Sequence, residues 1–255
     1  MNFAAFDWSL LRYPLLAGLV VLVTHVIFGR EVLARGIIFI DLTIAQVAAF
    51  GAVIAETISV DLAPWKIQCA GGVAALIAAG ALIFSERRWP HLQEALIGCL
   101  YVLTASASIL VLANNPHGAE HFSSLLAGQI LWVTPAQLVP ISIVSGVALL
   151  VWIVVRSISR ALFYPVFAIT VTASVQLVGV YLVFASLILP ALAAQGVRGK
   201  RGYVIAYGVG LTGYLSGLLG SVSFDLPTGP LIVCALGAAT LVAAALKALI
   251  HSESQ

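Results

Sequence analysis

ALFYPVFAITVTASVQLVGVYLVFASLILPALAA, residues 161–194, is an uninterrupted apolar run of 34 residues. As one straight helix it would be roughly 50 Å long at about 1.5 Å per residue. The hydrocarbon core of a bilayer is only about 30 Å thick. The run therefore has to break, and Gly179 is its weakest point for a helix. Two short helices are expected, Leu162–Val178 and Val180–Gln195, with Pro190 bending the second. Both are near or below the usual length of a span, so one of them is expected to be partly shielded by protein rather than lipid.

The composition of the whole chain agrees. Of its 255 residues, 62% are hydrophobic and 9% charged, with a mean hydropathy of +1.11. Soluble domains are nearer 45–50% apolar and about 25% charged. Twelve basic and ten acidic residues leave a net charge of +2, which excludes a soluble enzyme, a disordered chain and a nucleic-acid binder. A span of about 20 residues and a link of roughly 8 give room for about nine helices and no soluble domain. The expected class is an all-α, polytopic integral membrane protein with residues 1–255 as a single transmembrane domain.

Further apolar runs are Tyr13–Phe28, Ile37–Ile58, Lys66–Phe84, Ala95–Ala113, Ala136–Val155, Tyr203–Val222 and Leu231–Leu249. The charged stretches between them read as links: GREVLARG (Gly29–Gly36), SERRWPHLQE (Ser85–Glu94), RSISR (Arg156–Arg160) and VRGKRG (Val197–Gly202). With the N-terminus outside, the inner links collect Arg30, Arg35, Arg87, Arg88, Arg156, Arg160, Arg198, Lys200, Arg201 and Lys247. The outer segments hold only Arg12 and Lys66. Ten against two is a strong positive-inside bias, and it puts the C-terminus inside. Trp8, Trp65, Trp89 and Trp132 fall at expected membrane interfaces. The first dozen residues carry Asp7 and Arg12 and do not read as a signal peptide. Cys69, Cys99 and Cys234 lie far apart in apolar runs and read as small packing residues.

Ionisable groups inside spans are the expensive ones, and so mark candidate function. Asp41, Gln46 and Glu56 put polar groups at inner, middle and outer depths of the second span. Asp41 and Gln46 lie about 140° apart on a regular helix; a local distortion, or a helix starting after Asp41, would bring them together. One reading is a polar translocation path. The other has Asp41 capping the helix or pairing with Arg35, Gln46 bonding a neighbouring helix, and Glu56 as an interfacial carboxylate. His117, Glu120 and His121 occupy the outer polar stretch NNPHGAEHFSS, Asn114–Ser124. The two histidines would share a face of a helix and could meet a metal on the outer side, although Asn114, Asn115, Pro116 and Gly118 favour a solvated turn. His25 reads as a hydrogen-bonded packing residue, and Gln129 and Gln176 as interhelical hydrogen-bond residues. Gly213 and Gly217 form a small-xxx-small pattern that marks a close helix contact. No phosphate-cradling GxxxxGK[ST], nucleophile motif or HExxH is present. No catalysis is expected, so another chain has to supply the energy for any work done.

Four segments in order resemble the zinc/manganese/iron ABC transporter permease family. LIGCLYVLTASASILVL (Leu96–Leu112) is similar to its fourth-span signature. LLAGQILWVTPAQL (Leu125–Leu138) resembles its Leu-x-Gly-Asp-hydrophobic-Leu segment, with Gln129 where Asp is usual. VGVYLVFASLILPALAA (Val178–Ala194) and FDLPTGPLIVC (Phe224–Cys234) resemble two further stretches, and the likeness runs from about Leu15 to Leu246. The resemblance implies an inner-membrane permease subunit of a divalent metal importer. It also implies a homodimer of permease chains, an ATP-binding subunit at the inner face and an extracytoplasmic metal-binding protein. The metal, bound by Asp41 and Gln46, would be cargo, with no permanently bound cofactor.

Two departures stand out. DLTIAQVAAFG (Asp41–Gly51) has Gln46 at the apparent position of the family's histidine, which removes a favoured zinc ligand. The family's longer inner segment after the fifth span, with its ATPase-docking helix, is reduced here to RSISRALFYP, Arg156–Pro165. Arg156 and Arg160 are the candidates for that contact, with GREVLARG and SERRWPHLQE as alternatives. A permease for a metal chelate or another small solute, and a non-transporting membrane partner, are the competing functional readings.

Overall fold

The computed structural model describes residues 8–58, 63–112, 128, 130–155 and 160–252. Among them are nine α-helices and no strand. The helices are α1 (Trp8–Arg35), α2 (Ile40–Ile58), α3 (Pro64–Arg88), α4 (Gln93–Leu112), α5 (Pro135–Val155), α6 (Phe163–Val178), α7 (Val180–Ala193), α8 (Gly199–Phe224) and α9 (Thr228–Ser252). Short 3-10 turns at Pro90–Leu92, Ile130–Trp132 and Arg160–Leu162 complete the set.

The long apolar run breaks at Gly179, as expected. Its φ of 82° and ψ of 164° lie in a region open essentially to glycine alone. The Gly179 N–H still closes α6 by donating to the Val175 carbonyl at 2.8 Å, and its own carbonyl starts α7 by accepting from Val183 at 3.1 Å. The pair is bent by 119° at this break. Seven other helices are long and apolar enough to cross a bilayer individually. The expected nine spans are therefore seven full-length helices and one bent pair, because 16 and 14 residues are each too few for an unshielded crossing. Twelve of the 16 residues of α6 and ten of the 14 of α7 are buried, so protein covers the pair.

The two limbs of the pair begin and end at the same end of the bundle. Arg35, on the last turn of α1, lies over the Phe163 ring at the start of α6, 4.3 Å from its centroid. Arg30, one turn earlier, donates to the Val197 carbonyl just after α7, at 3.0 Å, and lies over Tyr203 of α8. Lys247, near the end of α9, donates to the Gln195 carbonyl. The basic links thus share one end, called here the basic end.

The links themselves are shorter than expected. GREVLARG is the last two turns of α1 rather than a loop. Its Glu31 and Arg35 pair at 2.8 Å with (i, i+4) spacing, and its arginines suit a helix C-terminus. The helix stops at Gly36, φ 71°. In SERRWPHLQE only Trp89 lies outside helical or 3-10 structure.

Close backbone approach fixes the packing. Gly213 and Gly217 seat α8 against Leu236 and Ile232 of α9, as the small-xxx-small spacing implied. Phe28, Trp152, Phe163 and Phe167 form an aromatic cluster that joins α1, α5 and α6, with centroids 5.0–6.1 Å apart. Gly128, φ 68°, sits so tightly on the Val178–Gly179 peptide that a Cβ there would fall inside the Val178 carbonyl. Two of the segments that carry the family resemblance therefore touch at this corner.

The three cysteines are exposed on the helix exterior, so they are not the packing residues expected. An apolar exterior facing lipid accepts a thiol as readily as a core does, and the run around each cysteine cannot tell the two apart. Trp65, Trp89 and Trp132 are exposed at helix ends, consistent with interfacial anchoring. The side chain of Trp8 lies outside the described residues.

A Cβ at Gly217 would lie 2.5 Å from the Ile232 Cα, whereas one at Gly237 would meet nothing within 4 Å. Gly217→Leu is therefore expected to destabilise the protein by about 1–3 kcal/mol. Thermal unfolding in detergent should show a lower Tm for this variant and an unchanged one for Gly237→Leu.

Candidate translocation site

Helix α2 is enclosed on most sides over its first half. Residues 40, 41, 43–49 and 53 are buried, against α3, α4, α6 and α7. The polar residues of this half therefore meet protein. Thr43 shows how it is held: its hydroxyl lies 3.0 Å from the Ile97 carbonyl of α4 and 3.1 Å from the Phe39 carbonyl.

Asp41 is 1% exposed, and among the described residues neither carboxylate oxygen has a hydrogen-bond partner. The backbone N–H groups of Asp41 and Leu42 face it without reaching hydrogen-bond geometry. Asp41 therefore does not cap its helix and does not pair with Arg35, which binds Glu31 instead. An isolated carboxylate inside a membrane protein costs several kcal/mol.

Gln46 is fully buried. Its Nε2 donates to the Ser108 hydroxyl of α4 at 3.3 Å, and Ser108 donates onward to the Thr104 carbonyl at 2.9 Å. The bond to a neighbouring helix is the one expected, yet Gln46 Oε1 remains without a partner. Because α2 starts at Ile40, Asp41 lies within the helix and the two side chains keep separate faces. The helix does not start after Asp41, so the start that would have united them is absent. Glu56 is half-buried towards the opposite end of α2.

Three further hydroxyls are buried on the bent pair, and helical periodicity does not single them out. Thr172 and Ser174 of α6 are buried with unpartnered oxygens. Ser186 of α7 shares a 2.7 Å hydrogen bond with Tyr214 of α8. The signal available in sequence was TVTAS, Thr170–Ser174, a polar line within the most apolar part of the chain. Its burial follows only from the central position of the bent pair.

His25 is buried and bonded as a packing residue would be. Its Nδ1 lies 2.9 Å from the Val21 carbonyl and 3.0 Å from the Thr24 hydroxyl. Gln176 is exposed rather than interhelical, because it lies on the outer side of the α6 terminus. His117, Glu120, His121, Gln129 and Arg156 lie outside the described residues. Arg160 opens a 3-10 turn at the basic end, and its side chain also lies outside them. Among the described residues no group of three or more His, Cys, Asp or Glu side chains could hold a metal ion.

Two solved structures share this architecture. PsaBC from Streptococcus pneumoniae, solved in complex with a Fab, is 20% identical with a TM-score of 0.69, over 95% of this chain and 92% of that one. An ABC transporter described as metal-chelate type, in an inward-facing conformation, is 14% identical with a TM-score of 0.67, over 94% and 85%. At these identities the likeness establishes the fold. The model of the ABC 3 transport family matches residues 7–159 and 154–247, and the two pieces meet at the short link between α5 and α6. This multi-pass membrane chain is a member of the ABC 3 transport family, a family of transporter permease subunits rather than of enzymes.

Proposed function

We propose that the protein is the permease subunit of an importer for a divalent metal ion in a bacterial inner membrane. The observation that carries this reading is Asp41, a buried carboxylate with two unpartnered oxygens in the enclosed half of α2. A passing cation would offset the cost of that carboxylate. The chain would work as a homodimer, with an ATP-binding subunit at the basic end and a metal-binding protein at the other. By the positive-inside rule the basic end is cytoplasmic, the N-terminus outside and the C-terminus inside. The metal is cargo, and no cofactor is needed in the permease itself.

The unpartnered atoms on α2 are all oxygens, two on Asp41 and one on Gln46. Carboxylate and amide oxygens suit manganese better than zinc, which favours imidazole and thiolate. The two side chains face different directions, so they would meet the ion at successive positions rather than in one cage. Alternating access requires that the ion be held differently in the outward- and inward-facing states. A site with one carboxylate and few fixed ligands lets the ion leave.

Asp41→Ala is expected to lower accumulation of radiolabelled manganese by about tenfold or more, with membrane insertion unchanged. Normal uptake by that variant would remove Asp41 from the path. Gln46→His is expected to raise the ratio of zinc to manganese uptake severalfold. An unaltered ratio would remove Gln46 from selectivity.

A further inference from the structure

Six consecutive residues from the end of α3 to the start of α4, Arg87–Leu92, are exposed at the basic end. They include Arg87, Arg88 and His91, with the apolar surfaces of Trp89, Pro90 and Leu92 among them. The adjacent acid, Glu86, is half-buried. Three contacts hold the projection. The Trp89 N–H donates to the Ser85 carbonyl at 2.7 Å, the Leu92 N–H donates to the Trp89 carbonyl at 3.0 Å, and Arg88 lies over the Trp89 ring. Arginine and tryptophan around an apolar centre make the composition of a protein-binding hot spot.

Two ties run from this turn into the bundle. Beneath it, the Ser85 hydroxyl donates to Gln93 Oε1 at 2.7 Å. Gln93 Nε2 donates to the Leu82 carbonyl at 3.2 Å and lies 3.4 Å from the Tyr164 hydroxyl. Ser85, Gln93 and Tyr164 are all buried, so the turn is bonded to the first turn of α6, the entry limb of the bent pair. The second tie is Glu94, whose Oε1 accepts from the Phe39 N–H at 3.3 Å. Phe39 precedes α2, two residues before Asp41.

The other candidates at the basic end lack one of these properties. Arg156 lies outside the described residues, and Arg160 opens a 3-10 turn of three residues. Arg30 and Lys247 are committed to carbonyls of the α7–α8 turn. Arg198, Lys200 and Arg201 are exposed there, but no large apolar residue stands among them.

We propose that the Arg87–Leu92 turn is where the ATP-binding subunit docks. The Gln93–Tyr164 and Glu94–Phe39 ties would carry nucleotide-driven movement to α6 and to Asp41. The proposal rests on the transporter reading above. The permease is co-expressed with the ATP-binding subunit from the same gene neighbourhood and purified in detergent. Arg87→Glu/Arg88→Glu is expected to lose at least about nine-tenths of the co-purified subunit, as charged interface contacts do when reversed, whereas Arg198→Glu/Arg201→Glu retains it. Gln93→Leu is expected to keep the complex and lose manganese-stimulated ATP hydrolysis. A photo-crosslinking amino acid at His91, in an otherwise native chain, is expected to capture the ATP-binding subunit, which covers the case of a charge-reversed variant that fails to fold. If the native pair does not co-purify, the transporter reading falls. If the pair forms and Arg87→Glu/Arg88→Glu changes only the amount of permease in the membrane, or His91 captures no subunit, the turn is a lipid anchor and this proposal is overturned.

Discussion

The corner at Gly179 governs the architecture. Without a residue able to hold φ 82° and ψ 164°, the run of residues 161–194 would continue as one helix too long for a bilayer. The corner instead gives two short helices that enter from the basic end and return to it. Neither can satisfy a lipid environment alone, so the other helices surround them. Gly128 holds the corner from the far side, in a contact that leaves no space for a Cβ. Gly128 thereby meets the centre of the bundle backbone to backbone.

Enclosure of the pair determines where polarity can be placed. Helix α2 packs against both limbs and against α3 and α4, so Asp41 and Gln46 meet protein instead of lipid. The same crowding leaves Asp41 without a partner and confines Gln46 to Ser108. At the basic end, cations do structural work by closing helix termini and turns. Arg30 and Lys247 satisfy carbonyls that follow α7, while Arg35 covers the aromatic cluster. This is the tertiary use of a charge bias that also orients a chain in the membrane.

The candidate site was legible in part. Asp41 and Gln46 stand out in sequence because a polar residue in an apolar run is costly wherever it faces. Their failure to converge follows from a helix that starts one residue before Asp41, a boundary that patterning does not resolve. Thr172 and Ser174 were passed over because hydroxyls are tolerated in membrane helices by bonding their own backbone, so their mere presence signals little. The exposed positions of the cysteines are not legible for a related reason: lipid and protein interior look alike to an apolar side chain. Gln176 was assigned a neighbouring helix that its place on the outer side of α6 does not offer.

Membrane class, approximate helix count, the break at Gly179 and the gathering of basic links were determined by the sequence alone. Each follows from a local quantity: apolar length against bilayer thickness, glycine's freedom, and charge counted per link. Tertiary structure decided which helices are enclosed and which face lipid, because a chain that is apolar all round carries no amphipathic stripe to tell them apart. It also decided that the charged links are mostly helix, and that two helices of the expected nine form one buried bent pair. Those outcomes depend on contacts between residues far apart in the chain, such as Arg30 with Val197 and Gly128 with Val178.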